Sequence, residues 1–195
     1  MSSTFFGKYR GVVTDNKDPY FLGRVKAKVN DVLGDEESGW ATPCVPFAGQ
    51  GMGFYALPSV GSGVWIEFEK GDPDHPIWTG GWWGTPLAEI PSDALVPPYK
   101  KLIIQTEGGT SITLDDTPQA GGITLKTADG QTFKLSGLGV SLDAGNAVQG
   151  VSIQTALGAK VALAPEGVSI ENGQGAAVKM QGPQVDINSG ALQVT

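Results

Sequence analysis

The sequence has one cysteine, Cys44, and one histidine, His75. The first rules out an intrachain disulfide, and the two together cannot build a zinc cluster. No apolar run is long enough to span a bilayer. Met1 to Lys8 lacks the charged-then-apolar layout of a secretory signal, so synthesis in the cytoplasm without a signal peptide is expected. Charge is scarce, at 17% of residues, and the net charge is −7. An acidic chain is a poor general ligand for nucleic acid, whose affinity rests on phosphate neutralisation. There is no Gly-rich phosphate loop, nucleophile elbow or metal-ligand spacing, and no cofactor is expected. Aromatic residues are almost missing from one half: only Tyr99 and Phe133 lie beyond residue 98, against 14 before it.

What fills that second half is a repeat. An apolar–polar–apolar unit recurs ten times, with its apolar pairs at Ile112/Leu114, Ile123/Leu125, Phe133/Leu135, Val140/Leu142, Val151/Ile153, Val161/Leu163, Val168/Ile170, Val178/Met180, Val185/Ile187 and Leu192/Val194. Successive starts are 11, 10, 7, 11, 10, 7, 10, 7 and 7 residues apart, and the 11, 10, 7 block forms a 28-residue super-repeat. Periods of this length mark stacked, quasi-one-dimensional structures. Side chains alternate faces along a strand, so every copy presents two apolar groups on one side and a polar group on the other. Glycines such as Gly130, Gly158, Gly167 and Gly182 fall where the turns belong. Two aliphatic residues per strand make a narrow, one-sided greasy ladder, and each such residue gains roughly 1.5–3 kcal/mol only if it is buried. The ladder must therefore meet copies of itself. Three such faces about an axis close a dry prism, with the first nine pairs as its core. Half of a single-chain sandwich is the alternative, but sandwich strands carry more bulk and aromatic content.

The first half is irregular and holds all five tryptophans. Alternation predicts strands over about 8–14, 22–30, 40–47, 62–70 and 76–83, with Val25, Ala27 and Val29, and Val64, Ile66 and Phe68, facing inward. Five short strands suggest a small closed barrel of the OB-fold kind. Pro86, Pro91, Pro97 and Pro98 make residues 85–101 a linker. The expected organisation is an OB-fold over 1–84, a Pro-rich linker over 85–101 and a repetitive β-prism over 102–195. The fold class is all-β, a barrel followed by an elongated intertwined trimeric β-helix or β-prism. Ten strands stacked at about 4.8 Å would give a prism roughly 50 Å long.

Three stretches carry a resemblance. Tyr9-Arg-Gly-Val-Val-Thr-Asp-Asn-Lys-Asp-Pro19 with Leu22-Gly-Arg-Val25 is one, and Leu57-Pro-Ser-Val-Gly-Ser-Gly-Val-Trp-Ile-Glu-Phe68 with Gly71-Asp-Pro-Asp-His-Pro76 is another. Both resemble the OB-fold domain of the central spike proteins of contractile injection machines. That family takes in phage baseplate assembly protein V, the VgrG proteins of type VI secretion and the spikes of extracellular phage-tail-like particles. Leu102-Ile-Ile-Gln-Thr-Glu-Gly-Gly-Thr-Ser-Ile-Thr-Leu-Asp-Asp-Thr117 resembles the family's passage into its trimeric prism. The resemblance implies a homotrimer mounted on a separate baseplate hub protein, acting with a tube and sheath, and breaching a target cell envelope. Spikes of the family that seal their own tip use histidines around a metal, and no histidine follows His75 here. Leu192, Val194 and Thr195 are therefore expected to dock a tip protein resembling the PAAR-repeat family.

Other residues carry side chains capable of chemistry. Glu67, Glu69, Asp72 and Asp74 form a carboxylate cluster, but a glycoside hydrolase needs two carboxylates opposed across a bond. Glu67 and Glu69 share a strand face, and Asp72 and Asp74 belong to a turn. His75 reads as a loop residue. Trp78, Trp82, Trp83, Phe54 and Tyr55 could stack on bases or sugars, but barrel core and subunit contacts are the simpler role. Arg24, Lys26 and Lys28 form a short basic stripe, and Asp115-Asp116 reads as a turn. No catalytic, metal or cofactor residue is expected, and no nucleic-acid partner. The rival functions are a β-helical polysaccharide-degrading enzyme and an OB-fold nucleic-acid binder.

Overall fold

The structure, a computed structural model, describes residues 4–84, 89–147 and 149–194, without the side chains of Gln193 and Val194. The chain divides into two compact units, Met1–Ile90 and Pro91–Thr195.

Five strands build the first unit: β1 (Tyr9–Asp15), β2 (Lys26–Lys28), β3 (Thr42–Pro43), β6 (Gly63–Phe68) and β7 (Pro76–Trp82). A two-residue hairpin, β4 (Ala48–Gly49) and β5 (Met52–Gly53), stands apart from them. The sheet order is β2-β1-β6-β7-β3. Its two ends meet, because Ala41 and Val25 exchange backbone hydrogen bonds of 2.7 and 3.2 Å just before β3. The sheet is thus a closed barrel, which removes its free edges. Burial alternates strictly along β6. Val13, Val25, Ala27, Val29, Ala41, Val64, Ile66, Phe68 and Trp78 fill the interior. Gly11 keeps that interior closed, since a Cβ there would meet Ile66 Cγ1 at 3.0 Å and Ala27 Cβ at 3.3 Å.

Three details correct the expected strands. The segments over 22–30 and 40–47 shrink to three and two residues. Between them sits a single helical turn, Asn30–Leu33, ended by Gly34 at φ 63°. The Ser38 hydroxyl accepts the Ala27 amide at 3.0 Å and donates to the Gly39 carbonyl at 2.7 Å, while the Ser38 amide donates to the Ala27 carbonyl at 2.9 Å, so a side chain takes over one of the two bonds of the pairing. The strand expected to reach residue 70 stops at Phe68, where Glu69–Gly71 makes a 3₁₀ turn with Lys70 at φ 55°.

The second unit is a meander of eleven antiparallel strands: β8 (Lys101–Gln105), β9 (Ser111–Asp115), β10 (Gly122–Lys126), β11 (Thr132–Ser136), β12 (Gly139–Asp143), β13 (Val151–Gln154), β14 (Ala159–Ala164), β15 (Gly167–Asn172), β16 (Ala177–Gln181), β17 (Gln184–Ile187) and β18 (Leu192–Val194). The ten repeat copies fall on β9 to β18, and β8 adds an eleventh rung. The expected single ladder is corrected in one respect. It is two sheets, five strands over β8–β12 and six over β13–β18, and β12 does not pair with β13. Within each sheet the register is uniform. Ile112 faces Leu125, Leu125 faces Phe133 and Phe133 faces Leu142. Ile153, Val161, Ile170, Val178, Ile187 and Leu192 continue in the same way in the second sheet. A one-residue slip would send every apolar side chain to the opposite face.

Candidate functional site

The uniform register places the repeat's apolar pairs in two columns on one face of each sheet. In the single chain that face is uncovered. Ile112, Leu114, Ile123, Leu125, Leu135, Val140, Leu142, Ile153, Val161, Leu163, Ile170, Met180 and Leu192 are exposed. Phe133, Val151, Val168, Val178, Val185 and Ile187 are half-buried. The opposite, polar face of the second sheet is hollowed, and Ser152, Lys160, Ala162, Ser169 and Lys179 line the hollow. Ala162, at 6% exposure, is the one fully buried hydrophobic residue of the ladder among those described, and it lies on this polar side. Contiguous apolar surface of this extent marks an interaction site. The β8 rung extends it through Leu102, opposite Leu114, and Ile104, opposite Ile112. The sequence pattern missed this rung because Ile103 stands where the repeat wants a polar residue.

At the far end, β18 is the outer strand of its sheet, with Leu192 opposite Ile187 and exposed. Val194 pairs with Val185 through its backbone. The Val194 side chain and Thr195 lie outside the described residues.

Most of the candidate polar groups have local partners. Glu67 Oε1 accepts from Lys8 Nζ at 2.6 Å. Glu69 sits in the 3₁₀ turn beyond β6. Asp72 accepts the Asp74 amide at 3.1 Å and lies 3.2 Å from His75 Nδ1. The Asp74 amide, then the His75 ring, hold the Asp72 carboxyl below its ordinary pKa. In the second unit, Asp115 is likewise lowered by Thr117, whose amide it accepts at 2.9 Å; the expected turn at Asp115-Asp116 is corrected, because Asp115 is the last residue of β9, paired with Lys101 and Gly122, and the turn follows at residues 118–120. The basic stripe is neutralised residue by residue: Arg24 by Asp18 at 2.6 Å, Lys26 by Glu37 at 3.7 Å and Lys28 by Asp35 at 3.1 Å. Trp78 is core and donates its indole N–H to the Gly23 carbonyl at 3.1 Å. Trp82 packs on Trp65 beneath Arg10, whereas Trp83, Phe54 and Tyr55 are exposed.

One constellation escaped the sequence reading. Asp18, 7% exposed, accepts from the Tyr20 amide at 3.0 Å, the Leu22 amide at 2.8 Å and the Arg24 amide at 3.3 Å. It also takes two bonds from the Arg24 guanidinium, at 3.1 and 2.6 Å. Arg24 is in turn stacked over Tyr20 and Trp40. The guanidinium, followed by the amides, holds the Asp18 carboxyl well below the usual carboxylate range. The clamp fixes the 18–24 loop, with Phe21 at its exposed tip. An acid six residues before an arginine is no motif, so only the fold reveals the pairing.

Residues 9–83 match the type VI secretion system/phage-baseplate injector OB domain. Residues 101–149 and again 143–193 match the phage baseplate V C-terminal trimerisation domain. A 92-residue stretch is 35% identical to a protein named actin cross-linking toxin VgrG1 from Vibrio cholerae serotype O1. That stretch covers 45% of this chain and 8% of the relative, so the chain spans a small part of the relative's length.

Proposed function

The chain belongs to the type VI secretion and phage-baseplate injector family of VgrG-like baseplate spike proteins, and from that premise we propose that three copies form the central spike of a contractile injection apparatus that punctures a target cell envelope. Its role is structural. The observation that carries the proposal is the pair of apolar columns, in register over both sheets and exposed in one chain. A trimer meets that need by turning the columns of three copies towards one axis, so that the first nine pairs, Ile112/Leu114 to Val185/Ile187, form its core. Contraction of a sheath would drive the tube and spike forward, and a narrow prism would concentrate the force on a small area. The barrel would sit on a separate hub protein. The exposed Leu192 end of β18, with Val194 and Thr195, would dock a small PAAR-like tip protein. Family membership also supports assembly into a phage or secretion machine.

No catalytic role is part of this reading. The two matched domains are an injector OB domain and a trimerisation domain, and the toxin activity in the relative's name belongs to a protein of which this stretch is 8%. Light scattering on the purified protein tests the proposal: it should give about three times 20.2 kDa. A stable monomer would overturn it.

A further inference from the structure

The barrel's last strand is paired on one side and only half paired on the other. β7 meets β6 from Pro76 to Trp82, with one irregularity on the way. On its other side β3 reaches it only at Ile77 and Trp78, and the Cys44 amide adds a bond of 2.9 Å to the Trp78 carbonyl. Among the described residues, no strand lies beside Thr79, Gly80, Gly81 and Trp82 on that side. An unpaired edge invites another strand.

The sequence explains why β3 stops there. Bonds in a parallel pair recur at every second residue, so after Cys44 the next donor, towards the Gly80 carbonyl, would be residue 46. Residue 46 is proline and has no N–H. Beyond it the chain folds on itself in the β4–β5 hairpin, where the Phe54 amide donates to the Phe47 carbonyl at 3.1 Å. The neighbouring segment is therefore committed elsewhere, and the edge stays open.

The open edge faces a hollow of about 620 Å³, whose walls include Cys44, Val45, Pro46, Phe54 and Pro58. None of the residues lining it carries a charge. Where Gly80 and Gly81 border the hollow there are no side chains. A Cβ on Gly80 would meet nothing within 4 Å, and one on Gly81 would touch only the Gly63 carbonyl oxygen at 3.4 Å. Glycine inside a strand often marks the place where another backbone comes close.

These features define an occupant. Open backbone groups require another backbone, in extended form. Uncharged walls require apolar side chains. Two successive glycines leave room for a large one. A second copy does not meet the need, because two identical edges pair antiparallel only about a two-fold axis, which a three-fold spike lacks. Resting on the reading that the barrel sits on a separate hub protein, we infer that β7 is the edge by which it is held. An extended segment of the hub, apolar at alternate residues, adds beside Thr79–Trp82 and lays a large apolar side chain over Gly80 and Gly81. Main-chain bonds supply the hold, and the hollow supplies the selectivity.

The test is hydrogen exchange on the full chain, alone and with the hub protein, combined with maleimide labelling of Cys44. Cys44 is the chain's one thiol, and it is exposed. In the complex, the amides within residues 79–82 that are not bonded to β6 should lose their exchange, and Cys44 should lose its labelling. Gly81→Arg, which sets a charge in the uncharged hollow, should lose co-purification with the hub while keeping the wild-type tryptophan melt. A hub complex in which Cys44 is shielded but the 79–82 amides exchange as in the free chain would overturn the added strand and leave the hub mount standing. A complex with neither change, or one that Gly81→Arg still forms, would overturn the site. Failure of the folded trimer to bind the hub at all would overturn the mount, and this inference with it.

Discussion

The barrel and the ladder are both β-structure cut from strands of similar length, yet they close in opposite ways. The barrel joins its two sheet ends through Val25 and Ala41 and seals Val25, Ala27, Val29, Val64 and Ile66 completely within one chain. The ladder has more apolar positions but leaves them on a bare face. Since apolar residues stabilise a fold only when removed from water, the barrel can stand alone and the ladder cannot. Irregular spacing and aromatic bulk suit a self-filling core. Regular spacing with small aliphatics suits a surface completed by copies of itself.

The harshest way to break the comparison is a charge on the ladder's apolar face. Val151→Asp would bring three carboxylates close to one axis, unpaired and dry, at several kcal/mol each. Light scattering should show loss of the trimer. Because all five tryptophans lie between Trp40 and Trp83, their fluorescence melt should still report a folded barrel. Ser152→Asp, on the polar face, should leave both signals nearly unchanged; equal losses from the two variants would mean that the faces are assigned the wrong way round.

The reciprocal experiment empties the barrel. Ile66 is fully buried against Gly11 and Ala27, and Ile66→Ala should cost about 2–5 kcal/mol through the cavity it leaves. The tryptophan melt should shift down while the scattering mass stays that of a trimer. Loss of the trimer would show that the two units are not energetically separate.

A smaller effect should come from the Asp18 clamp. Its folded pKa is depressed by Arg24, so its stabilisation is complete above the unfolded carboxylate value of about 4 and is lost as pH falls below that towards the folded value. Asp18→Asn should lower the barrel melting temperature by several degrees at neutral pH. The gap to wild type should narrow as acid is added. A constant gap from pH 7 to 3 would mean that the residue acts by shape rather than by charge.

The ladder was legible residue by residue because its rule is local: alternation assigns faces, and repeat spacing assigns rungs. The break after β12 was not, because the step from Val140 to Val151 is the same 11 residues as the paired step from Ile112 to Ile123. Only three-dimensional pairing tells them apart. In the barrel, the inward residues of β2 and β6 were readable from alternation. The helical turn at Asn30–Leu33 and the Asp18–Arg24 clamp were not: the turn is one short set of backbone bonds with no side-chain cap, and the clamp joins two residues that carry no periodic signal.

The gentlest perturbation acts on the ladder's outer edge and separates assembly from docking. Removing residues 191–195 deletes β18, an edge strand of three residues that pairs only with β17. The apolar columns from β8 to β17 remain, so the trimer should persist, with a small drop in melting temperature as Val185 and Ile187 lose their cross-strand partners. Any tip protein seated on the exposed Leu192 end should be lost with the strand, because its apolar platform is gone. Co-purification of a PAAR-like protein with the full chain, and not with the shortened one, is the expected result. Retention of that protein by the shortened trimer would place the docking surface elsewhere. Dissociation of the shortened trimer would show instead that the ladder draws its stability from its last rung rather than from the length of its columns, and the contrast with the self-contained barrel would have to be redrawn.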